Sequence, residues 1–181
     1  MKKFLTKSAV LLAVISPIAY SADNANLAEV MLSSPLDDSR GYCLDIAGGK
    51  GANAPVERGL QAHTCYNYTG EILEDQGFEV SLISSGSFKI SYFDVCMSAS
   101  AIEAGASLDL EECKASDNQS FSLKGNGQIS PNSNPSLCIT VDSENKREGR
   151  GGSPVHVMRP VSLQLCDNSE SDYQHWIIKS L

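Results

Sequence analysis

Six cysteines fall into three pairs along the 181 residues, and each pair is followed by a glutamine and, two residues later, an aromatic ring. The copies read Cys43…Cys65…Gln76-Gly77-Phe78, Cys96…Cys113…Gln119-Ser120-Phe121 and Cys138…Cys166…Gln174-His175-Trp176. Thiols in this number serve chemically as metal ligands or as disulfides. Metal sites would need a C-x-x-C pair or a Cys/His cluster, and the chain has neither. Disulfides are therefore expected and a metal is not. Six cysteines permit many pairings, and the repeat selects one: Cys43–Cys65, Cys96–Cys113 and Cys138–Cys166. Each bridge closes its own repeat and contributes roughly 2–4 kcal/mol, mainly by restricting the unfolded chain.

Catalytic chemistry has little to stand on. The three histidines are His63, His156 and His175, with no H-E-x-x-H, no G-x-S-x-G and no glycine-rich phosphate loop. Acidic residues are plentiful, but a glycosidase needs two of them at a defined separation, which no motif here specifies. A non-enzymatic protein without a cofactor is expected.

The elements that position these residues read as short strands. Helical periodicity is nearly absent after Ser21, and apolar or β-branched runs are broken by Gly, Ser, Asn or Pro about every eight to fifteen positions. Each repeat opens with such a run, at Ala28–Leu32, Glu79–Ile83 and Ser122–Lys124. A turn-rich stretch follows, then the strand of the first cysteine: Tyr42–Ile46, Val95–Met97 and Leu137–Val141. The repeats span about 28–78, 79–121 and 122–176 with no linker between them. A unit of ~45 residues cannot bury its own apolar face, so the three must close on one another. Phe78, Phe121 and Trp176 then belong to a shared core. Gln76, Gln119 and Gln174 are expected to satisfy buried backbone groups there.

The N-terminus carries a different signal. Lys2, Lys3 and Lys7 precede the apolar run Ala9–Ile15, which is too short to span a bilayer, and Ala19-Tyr20-Ser21 offers small residues to signal peptidase. Residues 1–21 are expected to be a signal peptide of bacterial type, leaving a 160-residue domain over 22–181, secreted or periplasmic. No cysteine lies near the cut, so no lipid anchor is expected. Losing three lysines takes the formal charge from −8 to −11. Such a surface repels phosphate backbones, so nucleic acid and anionic membranes are poor partners.

The segment Gly41-Tyr42-Cys43-Leu44-Asp45-Ile46-Ala47-Gly48-Gly49, the later Leu60-Gln61-Ala62-His63-Thr64-Cys65 and the closing Gln-x-aromatic resemble the ricin B-type lectins. Three such motifs in register with three cysteine pairs make the resemblance specific, and it covers essentially all of 22–181. It implies an all-β fold, a β-trefoil of three pseudo-symmetric lobes with one internal disulfide each, and one potential sugar pocket per lobe. A family pocket has a carboxylate just after the first cysteine to accept two sugar hydroxyls. A ring two before the second cysteine stacks on the sugar's C–H face, and an amide beside the motif glutamine completes the contacts.

By that resemblance the first lobe keeps the most: Asp45 as carboxylate, Gln61 as polar partner, His63 at the ring position, Asp75 where Asn is usual, and Gln76. Tyr66 or Tyr68 is an alternative ring, and Asp45 has the alternative role of a turn carboxylate. The second lobe has Ser98 for the carboxylate and Glu111 for the ring, keeping Asp109, Asn118 and Gln119. The third has Thr140, with Asp142 two residues on, Gln164 and Tyr173. It also has a long insertion carrying Lys146, Arg147 and Arg150. There Pro154–Met158 resembles the ring-bearing strand in a shifted register. The expected function is a secreted lectin binding a glycan or glycoconjugate through the first lobe, its avidity raised by oligomers or multivalent surfaces. The alternative is a trefoil interaction module without sugar binding, such as a toxin or envelope-complex subunit.

Overall fold

The structure, a computed structural model, describes residues 26–180, the side chain of Tyr68 excepted. The expected signal peptide and its cleavage site lie outside the described residues. Thirteen strands follow in order. They are β1 (Leu27–Leu32), β2 (Tyr42–Ile46), β3 (Leu60–Thr64), β4 (Phe78–Glu79), β5 (Lys89–Ile90), β6 (Val95–Ala99) and β7 (Leu108–Glu112). Then come β8 (Phe121–Leu123), β9 (Ile129–Pro131), β10 (Leu137–Val141), β11 (Arg147–Glu148), β12 (Val157–Leu165) and β13 (Trp176–Lys179).

Three antiparallel hairpins carry the cysteines: β2–β3, β6–β7 and β10–β12. The bridges are Cys43–Cys65, Cys96–Cys113 and Cys138–Cys166, with Cα separations of 5.0–5.1 Å. Closure comes from the chain ends, since β1 pairs with β13 from Glu29↔Lys179 to Leu32↔Trp176 and with β4 on its other side. This is the β-trefoil, three lobes with one disulfide apiece.

One expected strand is different. Glu79 ends β4, and Val80–Ile83 forms a single helical turn, α1. The spacing of Val80 and Ile83 puts both on one side of that turn, where Ile83 is buried. The hydroxyls of Ser84 and Ser85 donate to the carbonyls of Ser81 and Leu82, which no helix continues to use. Gly86 then takes φ +89°, and its carbonyl accepts from Phe121 N, at the far end of the same lobe, at 2.9 Å; a Cβ there would meet Phe121 O at 2.7 Å.

Phe78, Phe121 and Trp176 are all buried in one core with Tyr42, Leu44, Phe88, Ile129 and Ile139. Phe88 meets Phe78 and Phe121 edge-on at 6.4 and 6.3 Å, and the Trp176 indole donates to Ile139 O at 3.0 Å. The glutamines behave alike in all three lobes. Each accepts the backbone N–H just after the second cysteine: Gln76 from Tyr66 (3.1 Å), Gln119 from Lys114 (2.8 Å) and Gln174 from Asp167 (2.9 Å). Each returns its amide to the carbonyl just before that cysteine, on Thr64 (3.5 Å), Glu112 (3.0 Å) and Leu165 (3.0 Å). The motif thus brackets the second cysteine of every lobe.

Truncating Trp176 to Ala should destabilise the oxidised protein by about 3–5 kcal/mol, with Phe78→Ala and Phe121→Ala in the same range. Urea denaturation measures this, and near-neutral values at all three positions would mean the rings do not share a core.

Candidate functional site

The five lobe-one residues singled out in the sequence converge at the β2–β3 hairpin. Asp45 and Gln61 face each other across its register, and His63 follows two residues on, on the same face of β3 as Gln61. Gln61 Nε2 donates to Asp45 Oδ1 at 3.0 Å, and Gln76 Nε2 donates to Oδ2 at 2.9 Å. Asp45 is thus a strand residue held by side-chain amides, not a turn carboxylate. Asp75 stands one residue before the bracket glutamine, its own carbonyl accepting from Ile46 N at 3.2 Å.

Burial dominates the electrostatics. Asp45 and Asp75 are both 0 % exposed, and no hydrogen bond of normal geometry reaches either carboxylate oxygen of Asp75. Burial pushes the Asp45 carboxyl well above the usual range, and the neighbouring Asp75 charge pushes it further, against the two glutamine donors. The Asp75 carboxyl is raised by burial too, tempered by the Gly51 and Asp75 N–H groups that face it.

The His63 imidazole is held down at about 4, by burial first and then by His156, Arg40 and Lys50. Its Nδ1 sits 2.8 Å from Thr64 O, which fixes the Nδ1–H tautomer. The 4.0 Å approach of that nitrogen to Asp45 Oδ2 therefore joins a neutral ring to a carboxyl biased toward its protonated form, and is not an ion pair.

The alternative ring Tyr66 and residues from elsewhere in the chain complete the cluster. Tyr66 stacks on His63 at 5.2 Å, and His156, from the third lobe, stacks on His63 at 5.1 Å. Lys50 lies over the Tyr66 ring at 5.3 Å. Glu29 reaches in from β1, where Oε1 accepts from Tyr66 N at 3.2 Å while Oε2 is buried without a partner. Its carboxylate lies beside the Cys43 and Cys65 sulfurs, which as a disulfide offer no thiolate to a metal. The shifted-register run Pro154–Met158 was the sequence signal for His156; nothing local marks Glu29.

The other lobes spend the equivalent positions internally. Ser98 donates to Glu111 at 3.3 Å, and Glu111 is exposed and paired with Lys114. Asn118 donates to Ala99 O and Asp109 accepts from Ser107. Thr140 receives the Gln174 amide at 3.0 Å and donates to Cys138 O, while Gln164 donates to Ser162. Asp142 gathers donors from Glu144 and Asn145 in a turn, Tyr173 packs on the core, and Lys146 is committed to Asp37 at 2.6 Å. Neither lobe pairs a carboxylate with a ring at these positions. Two depressions of about 510 and 450 Å³ lie near α1 and the Lys114–Ser120 segment, away from the lobe-one cluster. Their walls are largely serines and aliphatic residues, without the acid–amide–ring combination.

A family model described as the ricin-type β-trefoil lectin domain matches residues 35–176. No curated protein sequence matches the chain. Among solved structures, the C-terminal half of an earthworm R-type lectin, in complex with GalNAc, superposes with a TM-score of 0.56 at 14 % identity. The match covers 86 % of this chain and 99 % of that one. The mdaA-1 domain gives 0.56 at 19 % identity, covering 84 % and 88 %. The agglutinin of Abrus precatorius gives 0.53 at 14 % identity over 87 % of this chain and 48 % of that one. Such identities speak to the fold alone, and the family rests on the match across 35–176. The chain belongs to the ricin-type β-trefoil lectin domain family.

Proposed function

We propose that the protein is a carbohydrate-binding lectin whose sugar site lies in the first lobe, formed by Asp45, Gln61, His63, Asp75 and Gln76. One observation carries the reading: Asp75 is fully buried beside a second buried carboxyl, and no hydrogen bond of normal geometry reaches either of its carboxylate oxygens, although the Gly51 and Asp75 N–H groups face them. A polar group left in that condition costs roughly 1–3 kcal/mol, so stability alone gives no reason to keep it. A polyhydroxylated ligand supplies the missing donors. Gln61 and Gln76 already orient Asp45, and the His63–Tyr66 rings stand next to it. Since neither carboxyl has exposed surface, entry requires the groups packed over them to move, among them the Gly51 backbone that faces Asp75. Membership of a lectin family supports the same reading, as does the likeness to a lectin seen with GalNAc bound.

A single site of this kind binds weakly, and a millimolar pocket has only about 4 kcal/mol in total. Useful avidity then comes from oligomers or from clustered glycans. The domain occupies 22–181 after cleavage at Ser21, with lobes of about 28–78, 79–121 and 122–176. Three disulfides suit an oxidising, secreted or periplasmic setting. No helix among the described residues is long and apolar enough to cross a membrane. The closed carboxyls favour the second reading, a trefoil module of a toxin or envelope complex that has lost sugar binding.

Asp45→Asn separates the two readings. Gln76 keeps its donor toward an asparagine oxygen, and Gln61 can turn its amide to accept, so the melting temperature should hold. Binding to immobilised glycans should be lost, because one accepting oxygen becomes an amide that only donates, and a buried sugar hydroxyl left without its partner costs roughly 1–3 kcal/mol. A stable variant that binds as well as the wild type rejects the site, and a wild type that binds no glycan favours the module.

Asp75→Asn tests the deficit itself. A carboxyl whose folded pKa is raised keeps its full stability below the unfolded value of 3.8 and loses it as pH rises through the folded value. The variant should therefore be more stable than the wild type at pH 7, with the gap closing as pH falls toward 4. Chemical denaturation at several pH values reads this, and a variant less stable at pH 7 contradicts it.

A further inference from the structure

His156 belongs to the third lobe, yet its ring is built into the first. It lies 5.1 Å from His63 at an interplanar angle of 23° and 5.3 Å from Tyr66 at 44°. His156 Nδ1 sits 3.1 Å from Thr64 Oγ1. The two residues before it are held by Arg40, whose Nη1 and Nη2 donate to the Pro154 and Val155 carbonyls at 3.3 and 2.5 Å. Asp38 grips that guanidinium in turn through Nε and Nη2, at 2.9 and 2.6 Å. Two residues after His156, Met158 pairs with His63 across β12 and β3. The ring is fixed from both sides.

Exposure separates the three rings. His63 is 6 % and Tyr66 3 % exposed, whereas His156 is partly open to solvent. The face on which a sugar can lay its apolar C–H side is therefore not the family-position residue His63 but His156. Burial first, and then the charges of Arg40 and Lys50, lower the His156 pKa from its ordinary 6.5, so the ring is neutral at pH 7 and suited to stacking.

We infer that His156 is the stacking platform and a specificity-determining residue of the lobe-one site, which is thus completed by the third lobe and takes a pyranose by its C–H face. This rests on the reading of lobe one as a sugar site. Arg40 is a positioning residue that docks the platform.

The test measures binding of the full oxidised protein to immobilised galactose-, N-acetylgalactosamine-, mannose- and sialic acid-terminated glycans, together with its melting temperature. His156→Ala should weaken binding to the best glycan about ten-fold, as expected for a lost stacking contact, without lowering the melting temperature. His156→Phe should restore binding, and Asp45→Asn should show none. Unchanged binding by His156→Ala beside a dead Asp45→Asn overturns the platform and leaves the lobe-one site standing. Loss in both His156 variants with a lowered melting temperature makes the residue structural and also overturns it. A wild type that binds none of these glycans removes platform and site together.

Discussion

Three buried glutamine amides bind the cap of this trefoil to its barrel, and most of the local geometry follows from them. A disulfide at the base of each hairpin leaves the backbone around its second cysteine buried and in need of partners. Gln76, Gln119 and Gln174 supply a donor and an acceptor to the residues on either side of that cysteine, while the ring two positions later enters the core. A primary amide suits the task because it offers both functions in one plane, which neither a carboxylate nor an ammonium does.

The second amide proton of each glutamine decides what kind of lobe results. In the third lobe it goes to the Thr140 hydroxyl, and the group is satisfied. In the first it goes to Asp45, which places a carboxyl in a fully buried position beside Asp75. Two such groups in low dielectric disfavour each other's ionisation, and only Asp45 has side-chain amide donors to offset the loss of water. One scaffold therefore yields a quiet lobe or a strained polar one by exchanging a single residue two after the first cysteine.

The seam between lobes one and three is built more heavily than pseudo-symmetry requires. Strand β12 pairs with β10 in its own lobe and with β3 of the first, from Met158↔His63 to Pro160↔Gln61. Beside it Asp37 collects Lys146, Arg159 and the Tyr42 hydroxyl, the last at 2.8 Å. Arg159 is buried and donates further to the Asp142 and Ser143 carbonyls, so its charge is both paired and hydrogen-bonded. The insertion of the third lobe, with Lys146 in it, serves as a clamp on the first.

Spacing along the chain accounts for part of this structure. Cysteine pairs, the Gln-x-aromatic motif and the strand of the first cysteine are local patterns repeated three times, and repetition removes the ambiguity that a single strand has. The meeting of Asp45, Gln61, His63, Asp75 and Gln76 was implied by the family resemblance, and the β2–β3 register accounts for Asp45, Gln61 and His63. The environment of those residues depends instead on contacts between distant parts of the chain. The full burial of Asp45 depends on what the rest of the fold lays over the hairpin, and the approach of Glu29 depends on how barrel closure places β1. His156 reaches His63 through a pairing of residues 95 positions apart in sequence, which no local periodicity encodes. The turn at Val80–Ile83 likewise reads as a strand by composition, and becomes helical because burying Ile83 and delivering Gly86 to Phe121 requires the chain to coil there.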